Sequence, residues 1–254
     1  MSIKISLLGT SHGDPTVTRL QSSTVIEVDG HFYLLDAGEG ALRSLIQRGI
    51  GPENIEGIFI THMHLDHTGG LPEVLELGRK YRHRKPEVDP FVLLPDPEAG
   101  KVLCAWQKIN NSQNVESQRI ESYTTGVIFD DGLLKVEAYP TRHLDWVNGT
   151  SPRSYSFRLT VREKRIFFTG DLYRDFSDFA FDAANGCDVL ISELVHFPPE
   201  AALSHLNGIK IGRLVFHHLG NRWQTQEGEQ EILRLFGDVS YPVTVGYDGY
   251  SFEV

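Results

Sequence analysis

Residues 59–70, FITHMHLDHTGG, most constrain how this chain can fold, because they place four metal-ligating side chains within one short loop. His62 and His64 alternate on an extended backbone, so their side chains point the same way. Asp66 and His67 follow where the chain turns into the two glycines. The loop therefore offers two separate ligand pairs, and the apolar run before it predicts that it follows a buried strand.

Further ligands must come from elsewhere in the chain. Imidazole and carboxylate groups suit Zn, Mn or Fe rather than Ca or Mg, and a catalytic ion needs about three protein ligands. Candidates follow three downstream strand-like runs: His143 after EAYPTR, Asp171 after IFFTG, and His217 and His218 at the end of LVFHH. Each one alone favours a structural role, but their shared place at strand ends predicts a metal site.

The order of the predicted elements indicates the fold class. Strand-like runs lie at 3–8, 23–28, 31–36, 56–60, 90–95, 133–139, 154–161, 165–170, 188–193 and 212–218. Apolar residues at helical spacing predict helices at 40–48, after residue 70, at 97–110, at 199–206 and at 226–237. The Asp29–Gly30 pair predicts a hairpin turn. Two β-rich halves with interleaved helices favour a layered α/β sandwich, and we expect a single domain over residues 1–254.

Composition limits the partners and the compartment. The 254-residue chain carries a net charge of −10, which repels polyphosphate at long range. The basic stretch at 79–85 is either a solvated helix end or a small anion-attracting rim. No apolar run approaches the roughly 20 residues of a membrane span, and the N-terminus lacks signal-peptide features. We expect a cytoplasmic protein without membrane contact, with Cys104 and Cys187 as buried, reduced thiols.

The combined motifs resemble the metallo-β-lactamase superfamily. They are His-x-His-x-Asp-His after FIT, a downstream histidine, TGD and a strand-end histidine. The stretch LLDAGEGALRSLIQRGIGPENIEGIFITHMHLDHTGGLPEVLEL is similar to the ribonuclease Z branch and its cyclic phosphodiesterase relatives, and LLGTSHGDPT and SST fit that branch too. The resemblance covers most of the chain. It implies a four-layer αββα sandwich with two metal ions at one edge.

The resemblance also implies a ligand for each position of a two-metal site. The first ion takes His62, His64 and His143, the second takes Asp66, His67 and His218, and Asp171 bridges the two. The family pattern of strand, threonine and histidine favours His218 over His217. Two divalent ions follow, with Zn favoured and Mn or Fe as alternatives. Histidine at position 64, where oxygen-reducing diiron members carry glutamate, favours hydrolysis over redox chemistry.

Two acidic residues have implied roles besides the shared bridge. Asp36 of LLDAGEG matches the family's buried carboxylate, which holds the ligand loop by hydrogen bonds; a plain turn residue is the alternative. Asp66 is the candidate catalytic residue, because it could orient an attacking hydroxide or accept its proton in addition to binding metal. Two cations lower the pKa of a bridging water to about 7.

The chain departs from ribonuclease Z at three places. We find no segment that could form the long arm that grips tRNA. The family's His-Glu-Ala-Thr segment corresponds to SELVHF, so Glu193 matches its acid, and the later His-Ser-Thr segment is missing. His196 or His205 could then act as the general acid, unless both are ordinary surface or core histidines. The longer loop at 144–153 is either a lid carrying Trp146 or a plain surface loop.

These patterns predict a dinuclear metal-dependent hydrolase, with a small or cyclic phosphodiester as the preferred substrate. One alternative is a hydrolase of lactones, thioesters or other carbonyl compounds. Another is a metal-binding sensor or scaffold without turnover. We expect a small-molecule substrate rather than a whole tRNA. The sequence leaves open whether the protein forms a homodimer.

Overall fold

The computed structural model describes residues 2–14, 16–110, 115, 118–144 and 152–254. Within these ranges, fourteen strands form two sheets of seven strands each. The chain divides into two compact units, and each unit contains one of the sheets. The first unit holds the residues up to Gly9, Gly13–Tyr123 and Asp248–Glu253, and the second holds chiefly Thr124–Tyr247 with Thr10–His12.

The first unit contains the elements of the N-terminal half. In chain order they are β1 (Ile3–Gly9), β2 (Ser23–Val28), β3 (His31–Ala37), α1 (Ala41–Gln47), β4 (Ile55–Phe59), α2 (Leu65–Thr68), α3 (Leu71–Tyr81), β5 (Phe91–Leu94), α4 (Pro97–Ile109) and β6 (Arg119–Ser122). Short 3-10 turns precede β4 and follow α3.

The second unit contains the following elements, before the chain returns to the first sheet. They are β7 (Gly126–Asp130), β8 (Lys135–Pro140), β9 (Tyr155–Val161), β10 (Lys164–Phe168), α5 (Phe181–Ala184), β11 (Val189–Leu194), α6 (Pro199–Leu206), β12 (Arg213–Leu219), α7 (Gln226–Leu235) and β13 (Val243–Val245). The returning strand is β14 (Ser251–Glu253).

The first sheet has the order β14-β1-β2-β3-β4-β5-β6. Strands β1, β2 and β3 pair antiparallel, whereas β4, β5 and β6 continue parallel from β3. Asp29 and Gly30 connect β2 to β3 with φ angles of 51° and 89°, which confirms the predicted hairpin turn. Leu45 of α1 and Val74 of α3 pack with Leu34 and Ile58 in one buried apolar cluster.

The second sheet has the order β13-β12-β11-β10-β9-β8-β7. It is antiparallel from β7 to β10 and parallel from β10 to β13. Phe167 and Phe216 form its apolar core together with Ala202 of α6 and Ile232 of α7. Because β10, β11 and β12 are parallel neighbours, residues that follow β10 and residues near the ends of β11 and β12 lie at the same edge of the sheet.

The predicted strands and helices are confirmed to within one or two residues at most boundaries, and α6 matches its predicted range of 199–206. The prediction missed four strands, β6, β7, β13 and β14, and the four-residue helices α2 and α5. Strands β6 and β7 are edge strands whose residues are mostly exposed, so they carry no strong apolar pattern. The longest described helix, α4, has 13 residues, fewer than the roughly 20 that a bilayer span needs.

Candidate metal centre

The ligand turn of the first unit follows β4 and contains both predicted pairs. His62 is fully buried and His64 is exposed, and their Nε2 and Nδ1 atoms lie 3.1 Å apart. Asp66 and His67 lie on the short helix α2, with Asp66 Oδ2 3.5 Å from His67 Nε2. Within this unit the fold therefore brings the members of each pair together, as the sequence predicted.

Asp36 stands behind this turn as a fully buried carboxylate. It is the extra residue of a β-bulge, because Leu35 pairs with Thr24 while Ala37 pairs with the adjacent Ser23. Its φ angle of 56° lies in the left-handed region, which aspartate tolerates better than most residues do. A bulge redirects a side chain out of the strand's alternation, and here it points the carboxylate toward the residues that follow β4.

The hydrogen bonds of Asp36 determine which nitrogen atom of His62 and of His67 carries the lone pair. Its Oδ2 accepts from His67 Nδ1 at 2.7 Å, so the lone pair of His67 is on Nε2. The Thr61 hydroxyl lies 2.9 Å from Asp36 Oδ2, donates to it, and accepts from His62 Nδ1 at 3.1 Å. His62 is therefore also left with its lone pair on Nε2. One carboxylate prepares two histidines, which is the usual support of a zinc-type ligand set.

In the second unit, Asp171 gathers histidines from two other segments. Its Oδ2 lies 3.6 Å from His143 Nε2 and 3.4 Å from His218 Nε2. Asp171 itself is buried and follows Gly170, whose φ angle of 55° turns the chain sharply after β10. The Thr141 hydroxyl donates to the backbone carbonyl of Asp171 at 2.9 Å, which ties the loop before His143 to this turn.

The adjacent histidines at the end of β12 have different surroundings. His217 and His218 together lie opposite Glu193 alone, so β12 has a bulge here, and His218 has a φ angle of 47°. The buried His217 ring packs against Phe168 with a centroid distance of 4.7 Å. His218 points to Asp171 instead. The preference for His218 agrees with this geometry, although a bulge, rather than plain strand alternation, separates the two rings.

Glu193 is a second fully buried carboxylate. Its Oε1 accepts from the backbone N–H of Leu172, next to Asp171, and its Oε2 accepts from His196 Nδ1 at 2.8 Å. Asp171, His196 and His218 each offer a ligand atom, and these atoms lie within 4.8 Å of one another, so the group is able to bind a metal ion. His196 Nδ1 lies 3.8 Å from Asp171 Oδ2 and donates to Glu193, so the lone pair of this ring is on Nε2. The His196 side chain is 31% exposed.

The remaining candidates lie in ordinary surroundings. His205 is exposed on α6 and bonds back to the Ala201 carbonyl at 2.9 Å. Trp146 lies outside the described residues. Cys187 is a buried free thiol, as predicted, and burial raises its pKa to about 11. Cys104 is also a free thiol, but it is only partly buried, so the prediction that it is buried was wrong.

Sequence reasoning missed two residues that support the ligands. The Thr61 hydroxyl connects the Asp36 carboxylate to His62 through two hydrogen bonds. The only sequence feature that pointed to Thr61 was its position directly before the first histidine of the motif. Asp178 accepts from the backbone N–H groups of Arg142 and Tyr173, which lie within two residues of the candidate ligands His143 and Asp171. No sequence pattern pointed to Asp178, because its partners come from separate loops.

A profile of the family described as Anti-Pycsar protein Apyc1 matches residues 3–210. The chain belongs to this family. The match ends before His217 and His218, so their assignment rests on the structure and on the superfamily resemblance. Ribonuclease BN of Escherichia coli O7:K1 is 32% identical over 145 residues, which is 56% of this chain and 46% of the relative. The chain thus matches about half the length of that relative.

Solved structures show the same fold. The metallo-β-lactamase fold protein YhfI from Bacillus subtilis matches 100% of both chains at a TM-score of 0.78 with 15% identity. The short form of human tRNase Z matches 98% of both chains at a TM-score of 0.74 with 21% identity. These matches confirm the predicted metallo-β-lactamase fold.

Proposed function

We propose that this chain is a dinuclear metal-dependent phosphodiesterase that hydrolyses a small or cyclic phosphodiester. The observation that carries the proposal is the ligand turn, where buried Asp36 sets the lone pairs of His62 and His67 on Nε2. Family membership supports the substrate class, because Apyc1 proteins degrade cyclic nucleotides.

The proposed ligands are the seven residues that the superfamily resemblance implies. One ion takes His62, His64 and His143, the other takes Asp66, His67 and His218, and Asp171 serves both. Zn is favoured, with Mn and Fe as alternatives, because the donors are imidazole and carboxylate. When bound, two such ions supply Lewis acidity and an activated water.

The chain's own residues would orient the ligands and move protons. Asp36 and Thr61 hold the rings of His62 and His67 in the ligating tautomer. Asp66 could also orient the attacking water or accept its proton. His196 is the proposed general acid, which would donate a proton from Nε2 to the leaving oxygen. Glu193, at 2.8 Å from Nδ1, would stabilise the imidazolium form.

The direct test uses protein that has been stripped of metal and reconstituted with Zn, Mn or Fe. Cyclic mononucleotides, a chromogenic phosphodiester, lactones and thioesters serve as substrates. We expect turnover of the phosphodiesters, two ions per chain by elemental analysis, and disturbance of both ions in Asp171→Ala. Turnover of carbonyl substrates alone would favour the second enzymatic function. Tight metal binding without turnover would favour a sensor, and at most one ion in loaded wild-type protein contradicts a dinuclear site.

We also propose that a whole tRNA is not the substrate, although the relatives include a ribonuclease and a tRNase. Affinity for structured RNA rests on Lys and Arg contacts to phosphate. In the basic stretch at 79–85, Arg79 pairs with Glu76 at 2.6 Å and Arg84 lies 3.6 Å from Glu53, so its charge is partly matched locally. Specific cleavage of a 3′-extended tRNA at physiological salt and low enzyme concentration would refute this proposal.

For the cell, we propose a cytoplasmic protein with a small-molecule substrate and no membrane partner. The free thiols of Cys104 and Cys187 support a reducing compartment. Fractionation that places the tagged protein with a membrane marker would contradict this. Light scattering of purified protein decides whether it forms the homodimer that the sequence leaves open.

A further inference from the structure

One carboxylate in the second unit contacts the two loops that carry His143 and Asp171. Asp178 Oδ2 accepts from the backbone N–H of Arg142 at 2.6 Å. Its Oδ1 accepts from the backbone N–H of Tyr173 at 3.0 Å, and Oδ2 lies 3.1 Å from the same nitrogen. Arg142 directly precedes His143, and Tyr173 comes two residues after Asp171. Asp178 therefore connects both loops through their backbones.

The short chemical path makes this connection effective. Only the Arg142 Cα and one planar peptide group separate the Arg142 nitrogen from the His143 Cα, so a shift of that nitrogen also displaces the His143 backbone. Hydrogen bonds from N–H groups to a carboxylate are stronger than neutral ones. Together they restrict the separation of His143 Nε2 and Asp171 Oδ2, which is 3.6 Å.

The loop that carries Asp178 is itself anchored in the core. Phe176 is fully buried and has a φ angle of 61°, and Phe179 stacks on it with a centroid distance of 4.8 Å. Asp178 lies between these two aromatic anchors. A non-glycine residue holds a positive φ only where its surroundings enforce it, so the packing of Phe176 also limits the positions open to the Asp178 carboxylate.

A second contact connects the same two loops through side chains. The Arg142 guanidinium lies over the Tyr173 ring at 4.5 Å from its centroid and donates to the Ser177 hydroxyl. Asp175 is exposed on the same loop, and Asp175 Oδ1 lies 3.5 Å from the Arg142 guanidinium. Asp175 contacts the Arg142 guanidinium, whereas Asp178 contacts the Arg142 backbone N–H, so Asp175 is a suitable comparison for Asp178.

We propose that Asp178 is a positioning residue that sets the distance between His143 and Asp171 before metal binds. This inference rests on the proposed metal ligands and adds the residue that places two of them. The carboxylate form is required because both of its partners are N–H donors. An amide at this position would keep one acceptor oxygen and present an NH2 group to one of the donors.

The test measures metal affinity rather than turnover. Asp178→Ala, Asp178→Asn and the control Asp175→Ala are compared with wild type by Zn²⁺ competition against a chromophoric chelator. The visible absorption spectrum of the Co²⁺ form reports ligand geometry, and thermal unfolding without metal reports the fold. We expect Asp178→Ala to weaken one ion by about ten- to a hundredfold, the usual effect of losing a residue that orients a ligand. Asp178→Asn should weaken it less, and Asp175→Ala by less than about twofold.

The outcomes separate this proposal from the proposed function. If Asp178→Ala keeps the wild-type Zn²⁺ affinity and Co²⁺ spectrum and only unfolds at a lower temperature, Asp178 has a structural role and the proposal is refuted. If Asp175→Ala weakened Zn²⁺ binding as much as Asp178→Ala does, the loss of loop charge would explain the effect. That result would refute the role proposed for the backbone hydrogen bonds of Asp178. A wild-type protein that binds metal but turns over no phosphodiester would refute the proposed function, while the affinity comparison would still decide the role of Asp178. Should Asp178→Ala fail to fold, Asp178→Asn decides the proposal.

Discussion

Each sheet contains one fully buried carboxylate near candidate ligands, and the two carboxylates have different kinds of hydrogen-bond partner. Asp36 in the first unit bonds to His67 and, through Thr61, to His62, so it holds side chains that are proposed to bind metal. Glu193 in the second unit bonds to the backbone beside Asp171 and to His196. We therefore propose that the first carboxylate supports metal affinity, whereas the second supports a loop and the proposed general acid.

The residue at the β-bulge also differs in kind between the two units. In β3 the residue that the bulge redirects is the supporting Asp36, and in β12 it is the ligand candidate His218. Both residues have positive φ angles, 56° and 47° respectively. The comparison shows that one backbone irregularity can place either a ligand or its support, so a bulge alone does not identify the role of the residue.

The largest expected effect comes from replacing the two adjacent histidines of the second unit one at a time. His218→Ala should lose one bound ion and the activity. His217→Ala should keep both ions, while losing about 2–4 kcal/mol of unfolding free energy because a buried ring is removed from Phe168. Elemental analysis and denaturant unfolding measure the two effects. The reverse pattern would show that His217 is the ligand.

The next effect tests the supporting role of Asp36. Asp36→Asn keeps the size and the left-handed backbone but leaves only one acceptor oxygen for Thr61 and His67, so Zn²⁺ affinity should fall by about a hundredfold. Thr61→Val should cost about tenfold, because only His62 loses its partner. Asp29→Asn is the matched control, an exposed aspartate with a φ angle of 51°. Unchanged Zn²⁺ affinity in Asp36→Asn would show that Asp36 does not support metal binding, and its proposed contrast with Glu193 would be wrong.

A smaller effect is expected at Glu193. Glu193→Gln should lower kcat by about tenfold and leave the metal content unchanged, because the lost charge weakens the imidazolium form of His196. Loss of an ion instead would show that Glu193 supports ligands as Asp36 does, and the comparison between the units would fail.

The smallest effect concerns the thiols, one in each unit. Native protein should react with a thiol reagent at partly exposed Cys104, while Cys187, whose pKa burial raises to about 11, should react only after unfolding. Because folding raises this pKa from 9.0 to about 11, its contribution to stability is complete below about pH 9 and is lost as the pH rises through about 11. Fast labelling of two thiols in the folded protein would contradict the burial.

Much of the first unit's ligand turn could be predicted, because local rules determine it. His62 and His64 alternate on extended chain, Asp66 and His67 follow within one turn, and Asp29–Gly30 needs only its own backbone preference. Strands β6 and β7 could not be predicted in this way. Their residues are mostly exposed at sheet edges, and their pairing depends on the neighbouring strands.

The sequence by itself determined which residue types are available and which of them adjoin along the chain. Only the tertiary structure decided that His218 turns to Asp171 while His217 packs on Phe168, because a bulge against β11 separates them. It also decided the hydrogen-bond partners of Glu193 and Asp178, which come from separate loops. Hydrogen bonds between residues far apart in the chain leave no periodic signal, since they arise only when packing brings separate strand ends to one edge.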